Sequence, residues 1–170
     1  VFPKNYYDLS EQDKFEVLSN VKGALNPDDF ENEITRLTIE SIQAIKVIQG
    51  NNGELGANRY IISNNENALN VMETFALIRL SDWENPTVDV VPLFESVDDL
   101  LNAHNVMEQL YTNPVYANHL VNREMKQTIM LGFSDGTKDG GYLMANWSIY
   151  KANEDLTAIS RKYGIKVIFF

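Results

Sequence analysis

The 170-residue sequence contains no cysteine, which excludes a disulfide framework and a thiolate metal centre and leaves the redox compartment open. Histidine is nearly as scarce. His104 and His119 are the two present; both fall in or near helical patterns without a third ligand at metal spacing, so neither is assigned a role. With 5 prolines, 9 glycines and 44% hydrophobic residues, the composition is that of a packed globule of one-domain size rather than a disordered chain. Basic residues are in deficit: 14 Lys and Arg face 24 Asp and Glu, for a net charge of -10. That balance opposes nucleic-acid backbones and anionic membrane surfaces. Long apolar runs are also missing, since Val-Val-Pro-Leu-Phe at 90–94 and Val-Ile-Phe-Phe at 167–170 fall far short of the roughly 20 residues of a spanning helix. No signal-peptide pattern is present. The expected partners therefore include no nucleic acid and no membrane, and a cytoplasmic location is the default. An acidic chain gains no long-range steering of anions, so phosphate or carboxylate chemistry would need a bound cation and local Lys or Arg. The chain starts at Val1 rather than Met and stops at Phe170 within an apolar run, as expected of a piece of a longer protein.

Residues 1–56 read as a helical lead-in. Leu9-Ser10-Glu11-Gln12-Asp13 opens a helix expected over 6–26, with Ser10 as its cap. A second helical pattern over 31–48 carries Ile34, Leu37, Ile42, Ile45 and Ile48. From 57 to 170, β-rich runs at 60–62, 88–94, 128–133 and 165–170 alternate with helical patterns at 66–80, from 97 to 112 and beyond, and at 141–163. In the last helix Ala145, Ile149, Ala152, Leu156, Ile159 and Tyr163 repeat at four and three, and Gly164 stands where a left-handed cap is wanted. Strands alternating with helices predict an α/β fold whose parallel sheet is covered by helices through right-handed crossovers. The pattern leaves a barrel and a doubly wound sheet both open. In either, ligands gather beyond the carboxyl ends of the strands.

The loops at those ends carry the candidate chemistry. The second strand runs into Glu95-Ser96 and the third into Ser134-Asp135-Gly136-Thr137-Lys138-Asp139-Gly140-Gly141. On neighbouring strands about 4.8 Å apart, Glu95 and Asp135 would reach one hard divalent cation, because Mg²⁺ takes one or two carboxylates plus water and substrate oxygens. Lys138 would then serve an anion beside it. A plainer reading stands next to this one: Ser96 and Asp99 spell a capping box, and Glu95 is then only part of a helix entry. Likewise, the three glycines at 136, 140 and 141 either bring backbone close to something or simply make turns. Other apparent motifs are set aside. Asp135 to Gly140 lacks a calcium loop's second ligand and preceding helix. Gly50 to Gly56 precedes a strand, whereas a dinucleotide loop follows one, so it is expected to be a plain loop. Asn146-Trp147-Ser148 lies in a helix without secretory context.

Two blocks carry a resemblance. Val91-Pro92-Leu93-Phe94-Glu95-Ser96-Val97-Asp98-Asp99-Leu100 and Gly132-Phe133-Ser134-Asp135-Gly136-Thr137-Lys138-Asp139-Gly140-Gly141 resemble phosphoenolpyruvate carboxylase, with Asn102-Ala103, Val106 to Leu110 and Tyr60-Ile61-Ile62-Ser63 in support. The resemblance implies a partial (β/α)8 TIM-type barrel with additional N-terminal helices, inside a homotetrameric cytoplasmic enzyme. That enzyme joins bicarbonate to phosphoenolpyruvate to give oxaloacetate and phosphate, with Mg²⁺ or Mn²⁺ as cofactor. By position it implies that Glu95 and Asp135 are metal-binding carboxylates and that Lys138 is the catalytic lysine. The sequence departs from the family at Phe133, where a tyrosine is usual, and at Gly136, where a serine is usual. The family's catalytic histidine is expected upstream and its Gly-Arg-Gly-Gly loop beyond Phe170, so the chain alone is expected to be inactive. Two competing expectations are another metal-dependent barrel enzyme acting on phosphoenolpyruvate or a related enolate, and a non-catalytic interaction module whose acids only cap helices.

Overall fold

The computed structural model describes residues 2–170. The chain divides into two compact units, one comprising the residues up to Arg59 together with Met72–Val88, the other Tyr60–Val71 together with Asp89–Phe170.

In the first unit, α1 (Glu11–Ser19) begins as expected at Ser10, whose side chain accepts the Asp13 N–H. It ends at Asn20, however, and the helix expected over 6–26 is otherwise a 3-10 turn at Tyr6–Asp8 and an irregular stretch leading to a second such turn at Pro27–Asp29. The reason is tertiary. Gly23 takes a φ of 112°, and the Leu25 N–H donates to Leu80 O at 2.7 Å, so backbone groups that would have continued the helix are engaged elsewhere. α2 (Glu33–Asn52) is capped by Asn32 on the Thr35 N–H and stops at Gly53, with φ 81°. It thus absorbs Gly50, and the stretch from 50 to 56, expected to be a loop, is the end of α2 followed by a 3-10 turn at Glu54–Gly56. Leu18, Ile39, Ile42, Met72, Ile78 and Leu80 are the large aliphatic side chains fully buried in this unit.

The second unit is built on strands. From Arg59 onward the element order β1 (Arg59–Ile62), α3 (Ala68–Leu80, which belongs to the first unit from Met72 on), β2 (Asp89–Phe94), α4 (Val97–Thr112), α5 (Pro114–Asn122), β3 (Lys126–Leu131), α6 (Phe133–Lys162) and β4 (Lys166–Phe169) follows the alternation read from the sequence. The four strands form one sheet in the order β1-β2-β3-β4. β2 pairs in parallel with β3, placing Phe94 opposite Leu131, and β3 pairs in parallel with β4 from Lys126 opposite Lys166 to Ile129 opposite Phe169. Sequential order without reversal is consistent with a sector of a barrel and contains no doubly wound switch point. β2 is covered on both faces, with Val90, Val91, Pro92 and Phe94 buried, as parallel strands require. α4 packs on α6, and Leu100, Ala103, Met107 and Leu110 of α4 are buried. Of the four-and-three stripe read from the sequence in α6, Ala145, Ala152 and Leu156 are buried and Ile149, Ile159 and Tyr163 half-buried. Gly164 adopts φ 68° after α6.

Candidate active site at the carboxyl ends of the strands

β2 and β3 end side by side, with Phe94 opposite Leu131. Within two residues each strand gives way to a helix. The Gly132 N–H donates to Phe94 O at 2.8 Å, and a Cβ on residue 132 would lie 3.1 Å from both Glu95 Cα and Phe94 O. Glycine is what lets the two strand ends approach this closely.

The helix after β2 carries a capping box of its own residues. The Asp99 N–H donates to Ser96 Oγ and the Ser96 N–H donates to Asp99 Oδ2, both at 3.1 Å, which is the capping box. Glu95 takes no part in it. Helix-entry chemistry therefore does not account for this carboxylate, which stands half-buried just past the strand.

The helix after β3 differs at the matching position. Asp135 is its third residue, as Asp99 is the third of α4, but the N-cap is Gly132, with no side chain to share a box. The Gly132 N–H is already given to Phe94 O. Asp135 is left out of the cap, and its Oδ1 accepts instead from Lys138 Nζ at 2.9 Å. The carboxylate also stands in the first turn of α6, where the helix dipole favours negative charge.

The segment that carries Asp135 and Lys138 corrects the sequence expectation. Residues 134–141 were expected to form a loop, with Lys138 on it, yet Phe133–Gly140 is helical and the break falls at Gly141, with φ 80° and ψ 167°. Close packing explains Gly140 better than turn formation does, whereas Gly136 would admit a Cβ at ordinary contact distances. A Cβ on Gly136 would sit 3.5 Å from Glu95 O and 3.8 Å from Leu100 Cδ1; one on Gly140 would lie 2.7 Å from Val97 Cγ2. Thr137 Oγ1 adds a bond to Phe133 O at 2.8 Å. Only Gly141 serves as a left-handed turn.

The electrostatics join the three candidate residues. Lys138 is held above the ordinary lysine range, first by its hydrogen bond to Asp135, then by the Asp135 charge, with Glu95 adding in the same direction. Its ammonium is therefore protonated at neutral pH, and its side chain is 77% exposed. Among the described residues no group of three acidic, histidine or cysteine side chains converges on one point. Asp139, which sequence reasoning left without a role, accepts the Val97 N–H at 3.0 Å through Oδ2. No local signal marks that bond, because its partners lie 42 residues apart.

A family model described as phosphoenolpyruvate carboxylase matches residues 1–170. The chain belongs to the phosphoenolpyruvate carboxylase family. It is 32% identical to a phosphoenolpyruvate carboxylase of Nitrosomonas eutropha and 30% identical to one of Nitrosomonas europaea, in each case over 98% of this chain. The chain spans 19% of the length of these curated relatives. At its two departures from the family pattern, Phe133 is 45% exposed and meets Tyr142 edge-on at 6.0 Å, while Gly136 is buried with ordinary contact distances around an added Cβ. Neither change touches the charged residues. Among the described residues, no helix is long and apolar enough to cross a membrane.

Proposed function

We propose that this chain is the part of a phosphoenolpyruvate carboxylase that supplies two metal-binding carboxylates, Glu95 and Asp135, and the catalytic lysine, Lys138. The observation that carries the reading is the Asp135–Lys138 pair of 2.9 Å on the first turns of α6, beside a Glu95 that the α4 cap does not use, in a chain matched along its length by the carboxylase family. The parent enzyme would form oxaloacetate and phosphate from phosphoenolpyruvate and bicarbonate, as anaplerotic carbon fixation. It would be a cytoplasmic homotetramer with a closed (β/α)8 barrel, of which residues 57–170 supply successive βα units and residues 1–56 the helical lead-in.

The chemistry asks for these residue types. Bicarbonate attacks the phosphoryl group, leaving carboxyphosphate and the pyruvate enolate; carboxyphosphate then breaks its C–O bond to release carbon dioxide and phosphate, and the enolate carbon attacks that carbon dioxide to give oxaloacetate, with negative charge to be stabilised at each stage. Lys138 holds a full positive charge at neutral pH and is exposed, so its three N–H donors can turn from Asp135 to phosphoryl oxygens and stabilise the transferring group. Glu95 and Asp135 would hold Mg²⁺ or Mn²⁺, which when bound supplies positive charge for the enolate and phosphate oxygens. Asp135 positions Lys138 until substrate arrives, and the rigid ends of β2 and β3 keep the three groups at one sheet edge.

In the full-length enzyme Lys138→Ala should lower oxaloacetate turnover at saturating substrates by about 10²- to 10³-fold, the usual cost of removing one donor to developing charge. Near-normal turnover would end the catalytic assignment. The 170-residue chain alone should form no oxaloacetate in a coupled assay with Mg²⁺, bicarbonate and phosphoenolpyruvate. Turnover that survives purification and vanishes in Asp135→Ala would show instead that the chain holds a complete site.

A further inference from the structure

We propose that Asp139 is a positioning residue for the metal carboxylates: by accepting the Val97 N–H it clamps the helix turn bearing Asp135 and Lys138 onto the strand end bearing Glu95. The inference rests on the metal reading of Glu95 and Asp135 above.

Two bonds frame the site. At the start of α6 the Gly132 N–H donates to Phe94 O at 2.8 Å; eight residues into the same segment, Asp139 Oδ2 accepts the Val97 N–H at 3.0 Å. Glu95 lies between Phe94 and Val97, and Asp135 and Lys138 lie between Gly132 and Asp139. The separation of the two carboxylates is therefore set at both ends by bonds that neither carboxylate makes. The second bond fixes the far end of the Phe133–Gly140 helix, beyond the point where buried Gly136 lies against Glu95 O and Leu100. Gly140 shows how closely Val97 lies against this helix, since a Cβ there would lie 2.7 Å from Val97 Cγ2.

The Val97 N–H needs an acceptor. Val97 is the first residue of α4, and the capping box satisfies the amides of Ser96 and Asp99, not that of Val97. The first amides of a helix have no partner within it, and a carboxylate is the stronger kind of acceptor for them. Asp139 is exposed, so the bond contributes little to holding the fold together, and its effect should show in the placement of the carboxylates rather than in melting.

The test measures Mn²⁺ affinity by the paramagnetic resonance of free Mn²⁺ in the full-length enzyme without substrate, alongside kcat, KM and thermal melting. Asp139→Ala should weaken Mn²⁺ binding and lower kcat by about 10- to 100-fold, the range for residues that orient metal ligands, at a nearly unchanged melting temperature. Asp139→Asn should recover most of that loss, because its amide oxygen still accepts the Val97 N–H. Val97→Pro deletes the donor at the helix position where proline is best tolerated, after a Ser96 already in the extended conformation that a following proline demands. It should reproduce the Asp139→Ala defect, and the double variant should be no worse than either alone. Asp135→Asn should remove Mn²⁺ binding. If Asp135→Asn abolishes binding while Asp139→Ala and Val97→Pro leave it intact, the clamp is wrong and the metal reading stands. If Asp139→Asn is as damaging as Asp139→Ala while Val97→Pro is harmless, Asp139 acts through its charge and the clamp is again overturned. If Asp135→Asn leaves Mn²⁺ affinity unchanged, the metal reading fails and the inference falls with it.

Discussion

The two ends of the β2–β3 pair each hold an arginine or lysine against an aspartate, in opposite surroundings. At the amino ends, Arg123 Nε donates to Asp89 Oδ1 at 2.6 Å, with side chains only 11% and 15% exposed. At the carboxyl ends, Lys138 and Asp135 meet at 2.9 Å with side chains 77% and 47% exposed. Removing either partner of the first pair leaves a charge with little water to solvate it, so that pair cannot exchange partners without large loss. The second pair is screened by solvent and contributes little to stability. The same pairing chemistry serves as a fastening where it is buried and remains available to a ligand where it is open. In parallel α/β sheets ligands gather beyond the carboxyl ends of the strands, the end at which the open pair lies.

The comparison is tested most strongly at Asp89. Asp89→Ala should cost about 3 kcal/mol of unfolding free energy, the low end for breaking a buried pair, and denaturant titration of the variant measures it. A loss no greater than that of Asp135→Ala would erase the distinction between the two ends.

Alkaline pH probes the buried side of the same unit. Tyr111, bonded to Ser160 at 3.1 Å, is pushed up to about 12, chiefly by burial. Tyr116, whose hydroxyl donates to Gln127 at 2.9 Å, is raised further for the same first reason. Because the folded state holds these protons more tightly than the unfolded chain, their stabilisation is complete below the ordinary tyrosine value of about 10 and is lost as pH rises above it. By pH 11 each should have subtracted on the order of 1 kcal/mol. Tyrosinate absorbance followed together with circular dichroism should show a fraction of the 8 tyrosines ionising only as the chain unfolds. Ionisation of all of them near pH 10 with the fold intact would contradict the burial.

A smaller effect separates the two helix starts. Ser96→Ala removes the α4 cap and should cost about 1 kcal/mol, with turnover of the full-length enzyme largely kept. The smallest effect belongs to the open pair: Asp135→Ala should leave the melting temperature within experimental error while reducing turnover. A marked drop in melting would show that Asp135 serves the fold.

Local signals sufficed for much of this. The Ser10 and Ser96 caps, the stripes of α4 and α6, and the left-handed Gly164 all stand where residue spacing and type place them, because each depends on neighbours within a turn or two. The sequence also placed the candidate residues just past β-rich runs, and those stretches follow the carboxyl ends of β2 and β3, since residues just past parallel strands fall at one end of the sheet. Two readings went astray for a shared reason. Residues 134–140 look like a loop because glycine is a poor helix former, but Gly136 is buried within the helix and Gly140 packs against Val97 more closely than a Cβ would allow. α1 looked longer than it is because nothing local reveals that Leu25 bonds to Leu80.

By itself, then, the amino-acid sequence determined the alternation of strands and helices, the caps, the family resemblance and the candidate residues Glu95, Asp135 and Lys138, all matters of periodicity and motif. The tertiary structure decided that Asp99 serves a cap while Asp135 at the matching position does not, that Lys138 rides on a helix, and that Asp139 reaches Val97. Each of these depends on which backbone groups from distant segments meet, and only the parallel register of β2 with β3 brings those groups together.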